Sequence, residues 1–236
     1  SRRRHTRCSR DWSSDVCSSD LNNKVKYKKD IDESLGQDAL HFDASLLAKY
    51  LQTVALNRNI ELIDDEVIDI NTHDNNFIKS IVLKNNGEKT LDFIFDCTGF
   101  RRLIIGDLYK TKWNSYKDKL PMNRAMPFFI QNDNEELPPF TESIAMKYGW
   151  IWKIPIQGRY GCGYVFDSNF ATDEEILEEI REMFGPNIVS PRTFSFDAGY
   201  YDKVCVNNCI AIGLSSGFIE PLEATSIWVQ ILALTQ

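Results

Sequence analysis

Apolar positions along the chain recur at two periods. After His41-Phe42-Asp43, residues Leu46, Leu47, Tyr50, Leu51 and Val54 share one face of a 3.6-residue helix, with Asp43 placed as its N-cap. From Ile60 to Asp96 the pattern becomes β-rich, and Asp74-Asn75-Asn76 and Asn85-Asn86-Gly87 supply the turns of a strand, a hairpin and a returning strand. The last stretch, Leu91 to Phe95, is apolar except for Asp92, which predicts a strand covered on both faces. Between Lys110 and Pro139 the period is lost among Trp113, Tyr116, Pro121, Pro127 and Pro138-Pro139, and a connecting region or crossover is expected there. Residues 143–168 alternate again and turn at Gln157-Gly158, the pattern of an antiparallel hairpin. Thr172 with Glu175 forms a capping box ahead of a helix closed by Gly185 and Pro186. A short buried strand, Asn207 to Gly213, then leads into Pro221 and an apolar helical pattern. This order predicts an α/β nucleotide-binding domain with a second, antiparallel sheet inserted into it.

Composition narrows the partners. The 236 residues are 43% hydrophobic, enough for a core, and carry 27 Lys+Arg against 34 Asp+Glu, with no basic stripe to meet nucleic acid or anionic lipid. No apolar run reaches the length of a membrane span, so a cytoplasmic protein is expected. Arg10 to Leu21 resembles the conceptual translation of a sequencing-library adapter, and residues 1–21 are set aside as adapter-derived or disordered. The remainder keeps 22 basic and 31 acidic residues and four cysteines, Cys97, Cys162, Cys205 and Cys209. Their spacing has no CxxC pair and no nearby His, so no metal site is expected, and reduced, mostly buried thiols are. The final residues stop within a helical pattern without a C-cap glycine, giving the expectation of a chain cut at both ends.

Three stretches carry candidate chemistry. Phe93 to Phe100 ends a strand with Asp96, Thr98 and Gly99, either an ordinary glycine turn or a place where backbone approaches a ligand at the carboxyl edge of a sheet. Trp150 and Trp152 stand two apart, so on a strand both indoles take one face, as core or edge aromatics or as the wall of a cavity. In Gly213 to Trp228, Pro221 suits a first helical turn and Glu220 or Glu223 suits its dipole. Gly213 and Gly217 remain over, and offer backbone N–H groups to an anion, whether a flavin edge, a phosphate or a small ion.

Together, GLSSGFIEPLEATSIW, GWIWKIP, HFDA and FDCTGFR resemble the flavin-dependent tryptophan halogenases over residues 28–236. The resemblance implies the fold of FAD-dependent aromatic hydroxylases, an FAD-binding domain with an inserted antiparallel β-sheet, here incomplete. Residues 22–109 and 201–236 would belong to the FAD-binding domain and 110–200 to the insert. It implies that reduced FAD, oxygen and chloride or bromide yield hypohalous acid, which reaches a lysine and halogenates tryptophan, indole or another electron-rich ring. Glu223 falls on the family's catalytic glutamate, Thr225 and Ser226 on the halide-binding amides, and Leu214, Ile227 and Val67 on flavin-contacting positions. Trp150 and Trp152 fall on the signature that separates substrate from flavin. A separate flavin reductase is implied as partner. The family's G-x-G-x-x-G and relay lysine, which precede Asn22 in its order, are not in this chain, and neither is its C-terminal helical region; this polypeptide alone is expected to be inactive. Ser226 stands where well-known members carry Gly, Cys205 where an aromatic residue is expected and Tyr200 where a basic one is. The other readings are an FAD-dependent aromatic monooxygenase and a non-catalytic flavin-binding protein.

Overall fold

The computed structural model describes residues 27–28, 33–34, 41–132, 137–138, 140–190 and 192–219. Its strands are β1 (Tyr27–Lys28), β2 (Glu33–Ser34), β3 (Val67–Thr72), β4 (Ile78–Leu83), β5 (Gly87–Thr90), β6 (Ile94–Asp96), β7 (Trp113–Ser115), β8 (Arg124–Gln131), β9 (Glu142–Ala145), β10 (Gly149–Ile156), β11 (Arg159–Phe166), β12 (Phe194–Ser195), β13 (Gly199–Tyr201), β14 (Cys205–Val206), β15 (Cys209–Ala211) and β16 (Gly217–Phe218). The α-helices among the described residues are α1 (Ala44–Asn57) and α2 (Asp173–Phe184). It is a mixed helix and sheet fold with antiparallel sheets, divided into two units.

The first unit, Lys117–Asp197 with the described residues up to Asp43, is built on a five-stranded antiparallel sheet in the order β12-β8-β11-β10-β9. The hairpin β10–β11 closes at Gln157-Gly158, with Ile156 opposite Arg159, as the alternation predicts. One face of this sheet presents Met126, Phe128, Ile144, Ile151, Cys162, Tyr164 and Phe166 to Ile176 and Ile180 of α2, the largest buried core among the described residues. Ile176 and Ile180 lie four apart, the helical spacing that puts both on one face. The capping box of α2 is present in both directions, Glu175 N–H to the Thr172 hydroxyl at 3.3 Å and Thr172 N–H to the Glu175 carboxylate at 2.9 Å. Two polar ties lock the helix to the sheet. Arg124 grips Asp173 through Nε and Nη2 at 2.7 and 2.6 Å, and the buried Tyr164 hydroxyl donates to Glu179 at 2.7 Å.

Strand β8 lies where the sequence predicts only a connection. Pro127 hides it, because proline withdraws a ladder donor. The structure tolerates it because β12 meets β8 only at Arg124 and Ala125, leaving Pro127 beyond the end of that pairing. There its carbonyl accepts from the Ser190 hydroxyl at 2.9 Å.

The second unit comprises Ala44–Tyr116 and Ala198–Ile219, with three three-stranded sheets in the orders β3-β4-β5, β14-β15-β6 and β16-β13-β7. The meander β3-β4-β5 agrees with the predicted turns, although residues 60–66 carry no strand. Instead the Asp65 carboxylate closes the second turn by accepting from the N–H groups and side-chain amides of Asn85 and Asn86. Desolvation pushes this carboxyl up, but those hydrogen bonds outweigh it and hold it at about 2.

Two burial expectations are corrected, and the apolar face of the predicted helix lies open. Helix α1 forms where predicted, but it has no buried residue, and Leu46, Tyr50 and Leu51 are exposed. Strand β6 is not covered on both faces: Ile94 and Asp96 face inward, while Phe95 is 55% exposed and meets Phe93 edge to face at 5.3 Å. All four cysteines of the described residues are free, but only Cys162 and Cys209 are buried, where desolvation pushes each thiol up to about 12. Cys97 and Cys205 are exposed.

Candidate functional site: paired glycine turns at the ends of two parallel strands

Strands β6 and β15 are neighbours and run parallel, with Ala211 opposite Asp96. Both end in the same way. Each strand is followed by a glycine in the left-handed region, Gly99 at φ 65° and Gly213 at φ 68°. Each glycine opens a tight 3-10 turn, Gly99–Arg101 and Gly213–Ser215. The two turns touch, because the buried Ser215 hydroxyl donates to the Gly99 carbonyl at 3.3 Å, and Ile212 N–H donates to the Asp96 carbonyl at 3.0 Å. A Cβ added at either glycine would meet nothing within 4 Å. The glycines therefore serve the backbone conformation, and they leave bare main chain beside open space at the carboxyl edge of the parallel pair.

Asp96 holds this edge together. It is 1% exposed, and its carboxylate accepts from Thr98 N–H and Oγ1 at 3.0 and 2.7 Å and from Ile104 and Ile105 N–H at 3.0 and 2.9 Å. The last two amides open the π-helical turn Leu103–Leu108, so a carboxylate caps its N-terminal end. Burial pushes the Asp96 carboxyl up, but the hydrogen bonds from Thr98, Ile105 and Ile104 prevail and hold it below the ordinary carboxylate range. Although Cys97 is exposed as a residue, partial desolvation of its thiol, with the Asp96 charge beside it, raises its pKa.

Around the turns, Phe100 meets Phe218 edge to face at 5.4 Å, and Arg102 lays its guanidinium 3.5 Å from the ring centre of Trp113. Gly217 has a packing reason. It faces Tyr200 across β16–β13, and a Cβ there would come 3.1 Å from the Gly199 carbonyl oxygen.

The candidate residues thus separate by location. Thr98, Gly99, Gly213, Leu214 and Gly217 come together in the second unit on the two turns and the strand that follows them. Thr98 spends its N–H and hydroxyl on Asp96, and its oxygen accepts from Leu103 N–H at 2.9 Å, so it ties the turn. Val67 opens β3, in a separate sheet of that unit. Trp150 and Trp152 lie in the first unit on β10, half-buried, with ring centres 6.2 Å apart and planes at 62°. Glu223, Thr225, Ser226 and Ile227 lie outside the described residues, as do residues 1–21 and the helical pattern after Pro221. The sequence pattern marks Asp96 at the strand end without revealing its capping part, and it does not mark Ser215. The available signal was an acidic residue ending an apolar strand two positions before a threonine, the spacing of a local carboxylate cap.

Comparison with known proteins places this architecture. The family described as tryptophan halogenase matches residues 4–236. The tryptophan 6-halogenase SttH of Streptomyces toxytricini is 38% identical over 194 residues, 80% of this chain and 37% of that protein. The tryptophan 7-halogenase RebH of Lentzea aerocolonigenes is 36% identical over 203 residues, 84% of this chain and 38% of that protein. Among solved structures, BrvH, a flavin-dependent halogenase from Brevundimonas sp. BAL3, superposes with a TM-score of 0.81 at 31% identity, covering 92% of this chain and 45% of that one. The chain therefore spans less than half the length of these relatives. With a family match running from residue 4 to the last residue, the chain belongs to the tryptophan halogenase family.

Proposed function

We propose that this chain forms part of a flavin-dependent halogenase that uses reduced FAD, oxygen and chloride or bromide to halogenate tryptophan, indole or another electron-rich aromatic ring. The observation that carries the reading is the pair of left-handed glycine turns, Gly99 and Gly213, side by side at the carboxyl edge of two parallel strands with open space at both Cβ positions. Backbone bared in this way fits a large planar or anionic cofactor group, which a side chain at either position would hold off. When bound, the flavin would supply the oxidising chemistry that turns halide into an electrophile.

In this reading Gly99, Gly213, Leu214 and Gly217 line the flavin, with Thr98 holding the first turn in shape; Val67 and Ile227 are further flavin contacts. Thr225 and Ser226 offer backbone N–H groups to halide at a helix start, where the unpaired amides favour an anion. Glu223 serves as the catalytic glutamate, which stabilises or deprotonates the cationic ring intermediate. Trp150 and Trp152 separate substrate from flavin, so that halogen rather than oxygen is transferred. Residues 22–109 and 201–236 form the FAD-binding part and 110–200 the insert, while residues 1–21 stand outside both. A separate flavin reductase supplies reduced FAD by diffusion, and the reaction is cytoplasmic. Among the described residues no helix is long and apolar enough to cross a membrane.

The test joins this segment to the remaining length of its relatives and supplies FAD, a flavin reductase, NADH, oxygen and bromide. A brominated indole by mass spectrometry is the expected product. Its absence across several indoles overturns the proposal, and a hydroxylated ring in its place makes the protein a monooxygenase.

A further inference from the structure

The hairpin β10–β11 contains a glycine that no turn requires. Gly163 sits within β11, directly opposite Trp152, with Ser143 flanking on β9 and Pro127 on β8. Glycine inside a strand weakens it, and a reason for its presence is the close approach of another group. That group is the Trp152 indole: a Cβ on Gly163 would stand 2.6 Å from its Cε2 and nearer still to Cζ2 and Cη2. Gly163, Val165, Trp150 and Trp152 share one face by register and alternation, opposite the face that packs Ile151, Tyr164 and Phe166 against α2.

We infer that Gly163 is a positioning residue for Trp152: its missing side chain is the bed in which the indole lies down across β11, and that bed sets the edge-to-face angle with Trp150. The link to chemistry rests on the reading of the two tryptophans as the partition between flavin and substrate. A comparison within the same hairpin separates this role from ordinary strand packing. A Cβ on Gly149 would run into the Val165 carbonyl group, so a substitution there must move main chain. A Cβ on Gly163 meets the far end of a side chain that can rotate, so a substitution there turns the indole and leaves the pairing with β8 and β10 in place.

Gly163→Ala in the full chain is the test, read by the far-ultraviolet exciton couplet of the indole pair, with Trp150→Phe defining complete loss of the couplet. The expected result is loss of most of the couplet with unchanged strand content and unfolding midpoint, and little further change when Trp150→Phe is added. An unaltered couplet in folded Gly163→Ala overturns the inference. If Gly163→Ala does not fold, Trp152→Ala is added to it. Recovered folding assigns the collision to the indole and supports the inference, whereas continued failure assigns it to the main chain and overturns it. In a preparation that halogenates, Gly163→Ala is expected to yield several-fold less halogenated product per reduced flavin consumed. An unchanged yield beside an altered couplet overturns the link to separation. A wild type that forms no halogenated product overturns the halogenase reading alone, since the couplet decides the role of Gly163 without turnover.

Discussion

The five-stranded sheet under α2 and the strand-end turns of β6 and β15 are held together by different forces. The first is apolar burial at regular period, with Ile176 and Ile180 set into Phe128, Ile151, Tyr164 and Phe166. The second has short strands and little core, and depends on one buried carboxylate, two left-handed glycines and a serine that bridges them. Burial makes a stiff body without specifying what it is for. Local polar capping makes a shaped edge whose main chain stays bare, the property a binding site requires.

Five substitutions sharpen the contrast, each read by urea unfolding. Ile180→Ala removes a fully buried side chain from the α2 interface and is expected to cost about 4 kcal/mol, through lost transfer energy plus the cavity left behind. Asp96→Ala strands the amides of Ile104 and Ile105 and is expected to cost about 3 kcal/mol, while strand content in the five-stranded sheet stays unchanged. Gly99→Ala and Gly213→Ala put a Cβ on left-handed backbone with no collision, so each is expected to cost about 1.5 kcal/mol from conformation alone. Thr172→Ala removes half of the capping box and is expected to cost about 1 kcal/mol. A cost from Asp96→Ala below that of Thr172→Ala would break the comparison.

Acid gives an independent view of the same carboxylate. The folded pKa of Asp96 is depressed, as is that of Asp173, held down chiefly by its hydrogen bond from Arg124. Groups of this sign add stability above the unfolded carboxylate value of about 4, and the contribution is lost as pH falls through the folded values. Unfolding midpoints measured downward from pH 5 are expected to drop, and Asp96→Asn is expected to flatten part of that drop.

How legible each part was in the sequence follows from the same contrast. The capping box of α2 and the hairpin at Gln157-Gly158 were readable because their signals lie within a few residues of one another. Helix α1 was readable as a helix, but the exposure of Leu46, Tyr50 and Leu51 was not, since period reports a face and not what covers it. Strand β8 was obscured by Pro127, whose acceptability depends on where β12 stops, a fact of pairing between distant segments. The π-helical turn after Arg102 is fixed by Asp96 eight and nine residues before its amides, and no propensity announces it. Of the candidate site, the two glycines were visible singly; their adjacency needed the parallel pairing of β6 with β15.

The most direct test of the account is the affinity for FAD of Gly213→Asn against wild type, in a protein carrying this segment within the full length of its relatives, by fluorescence titration. Asparagine tolerates the left-handed conformation, so its main effect is a side chain projecting into the open space beside the turn. The predicted result is binding weakened by about tenfold with the unfolding midpoint unchanged. Equal affinity in a folded variant would contradict the claim that the paired glycine turns receive the flavin.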